Sequence, residues 1–411
     1  MINYHVAMIL TWFIKTVYPI IFTIIPLMLL IPRQYTINIT DNIIYFLVIV
    51  LAIIFSPLYI TSFKSNFKNS MTFRVLHIYI LFNLLIIPFS IHISYSFVLF
   101  LLLFSFVIIY SSISHFVTHQ IKIKFLISLI IVSLILSVVS FYNTIILQYK
   151  NIESDGTSFM WVYFGHNHLS AILLLAIPSV VYFLKKYWIR RKIRFFLLSI
   201  VVLLLGSLLL TFARASIVSL GIVGVFLFWL VGSDQKFKLY KLGLIVVGTA
   251  GLLAAVYFIF PVIYDSNKSL RYTSRSVEMV HGLSNFVNHP FQGTGLGTFR
   301  YTKTVKQRFS TDFSHNFIID LLSDTGLISA SLFISFLSIL ISQSVSKIRK
   351  KLRNDDSVIT LVFLGGLTGL LINNMVDFDL QIISVGLLFW IFIGIINTYN
   401  RKNDINLGKN N

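Results

Sequence analysis

The sequence predicts an all-α, polytopic integral membrane protein of about twelve transmembrane helices, with one large external loop that carries an amphipathic helix. Three observations predict it. Of 411 residues, 57% are hydrophobic and only 11% charged, whereas soluble domains carry about 25% charged residues. Apolar runs of bilayer-crossing length recur along the chain, with charges confined to the connections; in lipid the backbone must satisfy its own hydrogen bonds, so such runs fold as helices. Lysines and arginines gather in alternate connections, the pattern of loops retained on the cytoplasmic side.

Taking about 20 residues per span, the runs fall at roughly 12–32, 43–61, 72–90, 93–112, 123–146, 166–184, 195–212, 215–232, 241–262, 324–346, 358–375 and 381–398. The first contains Lys15 and lacks a basic segment followed by a small-residue cleavage site, so it reads as a retained span. The strongest orientation signal is Lys185–Arg194, with further basic loops at Lys236, Lys238 and Lys241 and at Lys347–Arg353. Lys64, Lys68, Arg74, Lys122, Lys124 and the tail Arg401–Lys402 complete the set. Twelve spans put all of them on the cytoplasmic side together with both termini, and an odd number would break the agreement.

The expected organisation is N-terminal transmembrane helices over 1–160, a membrane core over 161–399 with an external loop at 263–314, and a polar cytoplasmic tail at 400–411. In that loop Met279, Val280, Leu283, Phe286 and Val287 recur at three- and four-residue spacing. They predict an amphipathic helix on the membrane surface, ended by Pro290 and the glycines.

A net charge of +19 would suggest a nucleic-acid partner in a soluble protein. Here the charges serve orientation, and no nucleic acid is expected. No cysteine is present, so disulfides, thiolate metal sites and cysteine nucleophiles are excluded. No phosphate loop of the G-x-x-x-x-G-K-S type occurs, which argues against ATP-driven transport. No cofactor and no metal site are expected: His166 and His168 at i and i+2 do not share a helix face, and no carboxylate accompanies them.

Polar residues gather on the expected external side. Arg214 sits between two apolar runs with almost no loop. It either snorkels to the headgroups or binds an anion, and its external position favours the anion. Arg271, Arg275, Arg300 and Arg308, with Lys303 and Lys306, make the loop basic. Guanidinium groups bind phosphate oxygens two at a time, so a pyrophosphate-bearing lipid is the natural ligand; the plainer reading is a solvated basic loop near anionic headgroups. Arg275 opens the amphipathic helix, where free amides also favour phosphate. Gly293-Thr-Gly-Leu-Gly297 lacks the spacing of a dinucleotide fingerprint and reads equally as a phosphate-approaching turn or a structural one. His315 stands at the water boundary, able to take a proton near neutral pH. Asn316, Asp320 and Asp324 follow at four-residue spacing on one helix face, and Asn373, Asn374, Asp377 and Asp379 could line the same cavity.

The order of these pieces resembles the O-antigen ligase and O-antigen polymerase family of bacterial surface-polysaccharide enzymes. The matching pieces are Gly165-His-Asn-His-Leu-Ser-Ala171, then Thr211-Phe-Ala-Arg-Ala-Ser216, then Arg275 and the run from His289-Pro290 to Phe299, and last His315-Asn316 with Leu321–Gly326. They cover about residues 160–380; the N-terminal third matches only in hydropathy. Alanine rather than serine precedes Arg214, and aspartate rather than glutamate stands at 324.

The resemblance implies an integral-membrane glycosyltransferase acting on undecaprenyl-pyrophosphate-linked oligosaccharides at the outer face of the cytoplasmic membrane. By resemblance, Arg214 and Arg275 hold the donor pyrophosphate and His315 activates the acceptor hydroxyl. Arg271, Arg300, Asn167, Asn316, Asp320 and Asp324 are expected substrate contacts. The expected partners are the lipid-linked donor, a glycan or lipid acceptor, the bilayer, and, as candidates, a flippase and a chain-length regulator. Polymerisation of capsule, exopolysaccharide or O-antigen repeat units is the first reading, and a ligase transferring the glycan to a lipid-core or cell-wall acceptor is the second. A transporter is the third, although the two halves of the chain do not resemble each other. Arginine charge in place of a metal, and one displacement at the anomeric carbon, predict metal-independent inversion.

Overall fold

The computed structural model describes residues 8, 11–31, 43–142, 166–211, 213–231, 269–303, 312–350 and 354–408. These residues build twelve helices, and no strand occurs among them. In chain order they are α1 (Phe13–Leu30), α2 (Ile43–Asn69), α3 (Met71–Ile86), α4 (Ile93–Phe116), α5 (His119–Phe141) and α6 (His166–Lys186). There follow α7 (Arg191–Leu210), α8 (Arg214–Val231), α9 (Ser269–Asn288), α10 (Phe317–Lys350), α11 (Asp355–Asn373) and α12 (Ile383–Gly408). Ten of them are long and apolar enough to cross a bilayer, and α8 adds a shorter apolar stretch, Arg214–Leu227. Eleven expected spans thus have a helix. The twelfth, 241–262, lies outside the described residues.

Polar residues set the helix starts. The Ser70 hydroxyl accepts the Phe73 amide at 3.3 Å, Thr118 accepts that of Ile121 at 3.4 Å, and His92 Nδ1 that of Tyr95 at 3.3 Å. Each satisfies a donor that the first helical turn leaves unpaired. The most apolar 18-residue stretch of α12 is 100% buried, against 28% in α1 and in α7. Helix α12 is therefore the axis of the bundle, packed against α4, α10 and α11, and α6 packs in turn on α11. The outer helices keep apolar faces exposed, such as Phe46, Ile53 and Ile60 on α2 and Phe195, Phe196 and Val202 on α7. Faces of that kind suit contact with lipid.

Two polar layers lie at opposite ends of α6 and α11. At one end Lys186 reaches Asp355 (3.5 Å), the Tyr182 hydroxyl donates to the same carboxylate, and Lys122 pairs with Asp356 (3.1 Å). His119 lies beside both aspartates. At the other end stand His168, Ser216, Asn373 and Asp379. A helix rises about 1.5 Å per residue, so the 19 residues of α11 hold the layers about 28 Å apart. The second layer is where the expected site residues come together.

Helix α10 differs from the expected span 324–346 because it begins at Phe317 and kinks at Gly326 (φ 72°, ψ 179°). The kink frees backbone carbonyls and an amide, and the segment from Pro290 to Gly295 pairs with them. Thr294 N donates to Ser323 O (2.9 Å), Gly295 N to Asp324 O (2.8 Å), and Leu327 N to Pro290 O (2.8 Å). The approach requires glycine at two points. A Cβ on Gly326 would stand 2.3 Å from Phe291 O, and one on Gly293 2.4 Å from the Asp324 backbone, both at positive φ.

Candidate active site

The expected amphipathic helix is present as α9, and its packing explains the placement of the basic loop. Glu278, Gly282 and Asn285 face inward, while Val277, Val280, Leu283 and Val287 are exposed. Asn285 Nδ2 donates to the Thr302 hydroxyl (2.8 Å) and the Ser323 hydroxyl (3.2 Å), and His281 Nε2 lies 2.8 Å from Thr302. Lys303, expected as part of a free basic surface, is instead buried in an ion pair with Glu278 (2.5 Å), its ammonium over the Phe299 ring. A buried ammonium needs such a partner.

The glycine segment is a structural turn. Gly293 N donates to His289 O, and Gly297 N to Asp324 Oδ2 (3.0 Å). With the Thr294 and Gly295 amides also bonded within the protein, these groups hold the turn to α10 rather than present themselves to a phosphate. Ile91 N donates to Thr294 O and the Ser96 hydroxyl to Leu296 O, which fix the turn to the α3–α4 connection. Arg300 lies over the Tyr301 ring, which packs on His92 and Tyr95. It thus stands on the α3–α4 side of the loop.

His315 lies in the turn before α10 with φ 58°, the one non-glycine residue among those described with positive φ. Such a conformation costs about 1–3 kcal/mol and persists only where the surroundings hold it. Ser314 N donates to Asp320 Oδ1 (2.8 Å), and the Ser314 hydroxyl donates to Asn316 O. Asn316 Oδ1 caps α10 by accepting the Ile318 and Ile319 amides, while its Nδ2 donates to Met375 O (2.8 Å). Phe317 N donates to Asn374 O. The histidine turn is therefore stapled to residues 374–375, just after α11.

That second turn, Met375–Gln381, supplies the rest of the site. Arg275 of α9, half-buried, donates from Nη1 to Val376 O (3.3 Å). Phe378 packs edge-on against both His315 (4.9 Å) and His168 (5.3 Å). Asp379 Oδ1 lies 2.7 Å from His168 Nδ1, and Asp379 Oδ2 accepts from Asn373. Asn373 Oδ1 accepts the Ser216 hydroxyl, which also meets the Ser170 hydroxyl. This chain of bonds ties α6, α8 and α11 together. Arg214, two residues before Ser216, is the first residue of α8 and half-buried at the same end.

Electrostatics distinguish the titratable groups. Burial, then the nearby charges of Arg275, Lys303 and His168, lower the His315 pKa to about 4. It is a neutral imidazole at physiological pH, and its buried Nδ1 has no hydrogen-bond partner among the described residues. Asp377 is pushed up to about 7 by burial and by Asp379 beside it, against the opposing pull of His168 and Arg275. A neutral base, a guanidinium and closely spaced carboxylates are groups suited to proton transfer beside an anion.

The structure thus brings His315, Arg275 and Asn316 to one turn, and Arg214 to the same end. Asp320 and Asp324 lie below, on α10. Arg271 and Asn167 fall on α9 and α6, but their side chains, like Lys306 and Arg308, lie outside the described residues. Among the described residues no group of three or more histidine, cysteine, aspartate or glutamate side chains is placed to hold a metal ion. Sequence reasoning missed the His168–Asp379 pair. Its signals were a histidine in the first turn of an apolar helix and the Asp377-Phe-Asp379 pattern after another.

Residues 199–334 match a family model described as O-antigen ligase. The match takes in the second part of α7, all of α8 and α9, the glycine turn and the first half of α10, hence Arg214, Arg275 and His315. No curated protein matches the chain.

Proposed function

The chain belongs, over residues 199–334, to the O-antigen ligase family, and on that premise we propose that it polymerises undecaprenyl-pyrophosphate-linked oligosaccharide repeat units. Membership makes it a membrane enzyme of the ligase and polymerase type in polysaccharide biosynthesis. The finer reading places the reaction at the outer face of the cytoplasmic membrane, in assembly of a capsule, exopolysaccharide or O-antigen. The observation that carries it is the convergence of a neutral, buried His315 and the Arg275 guanidinium on the turn after α11.

In this reading Arg275 and Arg214 match the charge of the donor pyrophosphate, as arginine forks do. The acceptor hydroxyl oxygen attacks the anomeric carbon and forms the new glycosidic bond. The bond from that carbon to the pyrophosphate oxygen breaks, and the electron pair leaves with the lipid pyrophosphate. The hydroxyl proton passes to His315. One displacement inverts the anomeric configuration, and fixed positive charge stabilises the leaving group as it departs.

The test is reconstitution of the full chain with a lipid-pyrophosphate-linked repeat unit. A ladder of lengthening glycans of inverted configuration, insensitive to EDTA, is expected. Transfer only to a distinct added acceptor would make it a ligase, and movement of the lipid without a new bond a transporter. His315→Ala and Arg275→Ala should abolish transfer while the protein stays folded in the membrane. If both retain turnover, the site assignment is wrong.

A further inference from the structure

A helix at the edge of a protein in water turns its apolar side inward and its polar side outward. Helix α9 does the reverse. Glu278, Gly282 and Asn285 are buried, and the two polar ones meet Lys303, Thr302 and Ser323. Val277, Val280, Leu283 and Val287, with Phe291 just past the helix end, are 43–71% exposed. At about 100° per residue the four helical ones fall within an arc of about 120°, a single face. The other exposed residues between Ser276 and Phe291 are Ser276, Ser284 and Asn288, so none of the exposed set is charged.

This face continues onto helices that are long and apolar enough to cross a bilayer. Leu327 N donates to Pro290 O (2.8 Å), which sets Phe291 beside Leu327 and Ile328, both exposed on α10. On the other side Ile91 N donates to Thr294 O (2.9 Å). That bond brings Phe89, Ile91 and Ile93, exposed at the α3–α4 connection, to the same end of the molecule.

An uncharged apolar surface of this extent marks an interaction site, and its continuity with the bilayer-crossing helices identifies the partner as lipid. A helix lying on a membrane surface keeps a polar, charged face in water. The polar face of α9 is instead held against protein, which leaves the apolar face to meet hydrocarbon.

We infer that α9 is seated in the leaflet on the site side, with its valine face against lipid acyl chains. Its polar face is then the wall between the leaflet and the proposed site. Arg275, about 140° round the helix from Val280, reaches Val376 O on the protein side of that wall. Under the transferase reading, the lipid chain of a donor stays in the leaflet while its head group meets Arg275. The seat of α9 does not itself rest on that reading.

The chain has no cysteine, so a single introduced cysteine reports one position. Val280→Cys and Val287→Cys, both at mostly exposed positions, are labelled with a nitrobenzoxadiazole dye. The full chain is reconstituted in phosphatidylcholine and phosphatidylglycerol vesicles, with and without bromine on the acyl chains. Val202→Cys, exposed in the middle of α7, is the lipid standard, and Lys192→Cys, exposed at the start of α7, is the aqueous one. Acyl bromination should remove emission from both α9 labels as strongly as from the Val202 label. Iodide in the buffer should leave them bright while it quenches the Lys192 label. Iodide quenching without bromolipid quenching at both positions puts α9 in water and overturns the inference. Disulfide formation between copies of unlabelled Val280→Cys, with no bromolipid quenching of the labelled protein, overturns it by placing a second copy on this face. Quenching needs no donor, so protein that forms no glycosidic bond sinks the transferase reading alone, and the two failures are distinct.

Discussion

His168 and Asp379, 211 residues apart in the chain, meet with Nδ1 2.7 Å from Oδ1 in a fully buried pair. The second carboxylate oxygen is held by Asn373, which is itself held by Ser216. The pair fixes the start of α6 against the turn after α11. That turn also carries Phe378 against His315 and the Val376 carbonyl that receives Arg275. A buried histidine and carboxylate thus set the backbone on which both proposed reacting groups converge.

Breaking that pair on one side should be costly. Asp379→Ala leaves a buried imidazole and the Asn373 amide without their acceptor, and loss of one partner from a buried pair costs about 3–5 kcal/mol. Thermal unfolding in detergent should show the loss. The double variant Asp379→Ala/His168→Phe should recover part of it, because removing both partners spares the unpaired group. A single variant as stable as wild type would refute the structural role.

Asp377 predicts the opposite sign. Its folded pKa of about 7 lies above its ordinary value of 3.8, through burial and then Asp379. The folded state therefore binds the proton more tightly than the unfolded one. Its stabilising contribution is complete below about pH 4 and is lost as pH rises to about 7. Asp377→Asn should melt higher than wild type at pH 8, with the difference vanishing near pH 4. Parallel melts of the two proteins across that range check it, and a constant offset would contradict the assignment.

The kink of α10 can be probed through its glycine. Gly326→Ala forces a side chain to positive φ and within 2.3 Å of the Phe291 carbonyl. The conformation alone costs about 1–3 kcal/mol, and the clash adds to it, so folded yield and melting temperature should both fall. Gly206→Ala, where the nearest atom is a Phe141 ring carbon at 3.2 Å, is the control. In a helix interior, alanine for glycine is worth up to about 1 kcal/mol, which offsets the small shift the half-buried Phe141 ring must make, so that variant should melt close to wild type and well above Gly326→Ala.

Hydropathy made the helices legible because it is local and additive: each expected span outside 241–262 has its helix. The amphipathic spacing of Met279–Val287 also survives, as α9. What the spacing did not reveal is that the inward face of α9 is the polar one, built on Glu278 and Asn285 against Lys303, Thr302 and Ser323. That depends on a neighbour more than fifteen residues away. The site divides likewise. His315, Arg275 and Asn316 were readable as residue types at a polar boundary, whereas the kink at Gly326 and the pairing of His168 with Asp379 arise from packing between distant segments. Lys303 counted as a free cation in sequence, since charge alone does not tell burial.

The pH profile of transfer should separate free enzyme from complex. In the free protein His315 has a pKa of about 4, held down by burial first and then by Arg275, Lys303 and His168. The acid limb of kcat/KM, which reports free enzyme, should therefore lie near pH 4 where His315 governs it, well below the ordinary histidine value of 6.5. A base that weak is poorly matched to neutral pH. A bound pyrophosphate brings negative charge beside Arg275 and offsets the repulsion that this arginine exerts on an imidazolium. The His315 pKa then rises in the complex, and the acid limb of kcat should stand at higher pH than that of kcat/KM. Coincident limbs would mean that the donor phosphates do not sit beside Arg275. A limb at 6.5 in both would mean that the titrating base is a histidine in an ordinary solvated setting and not His315.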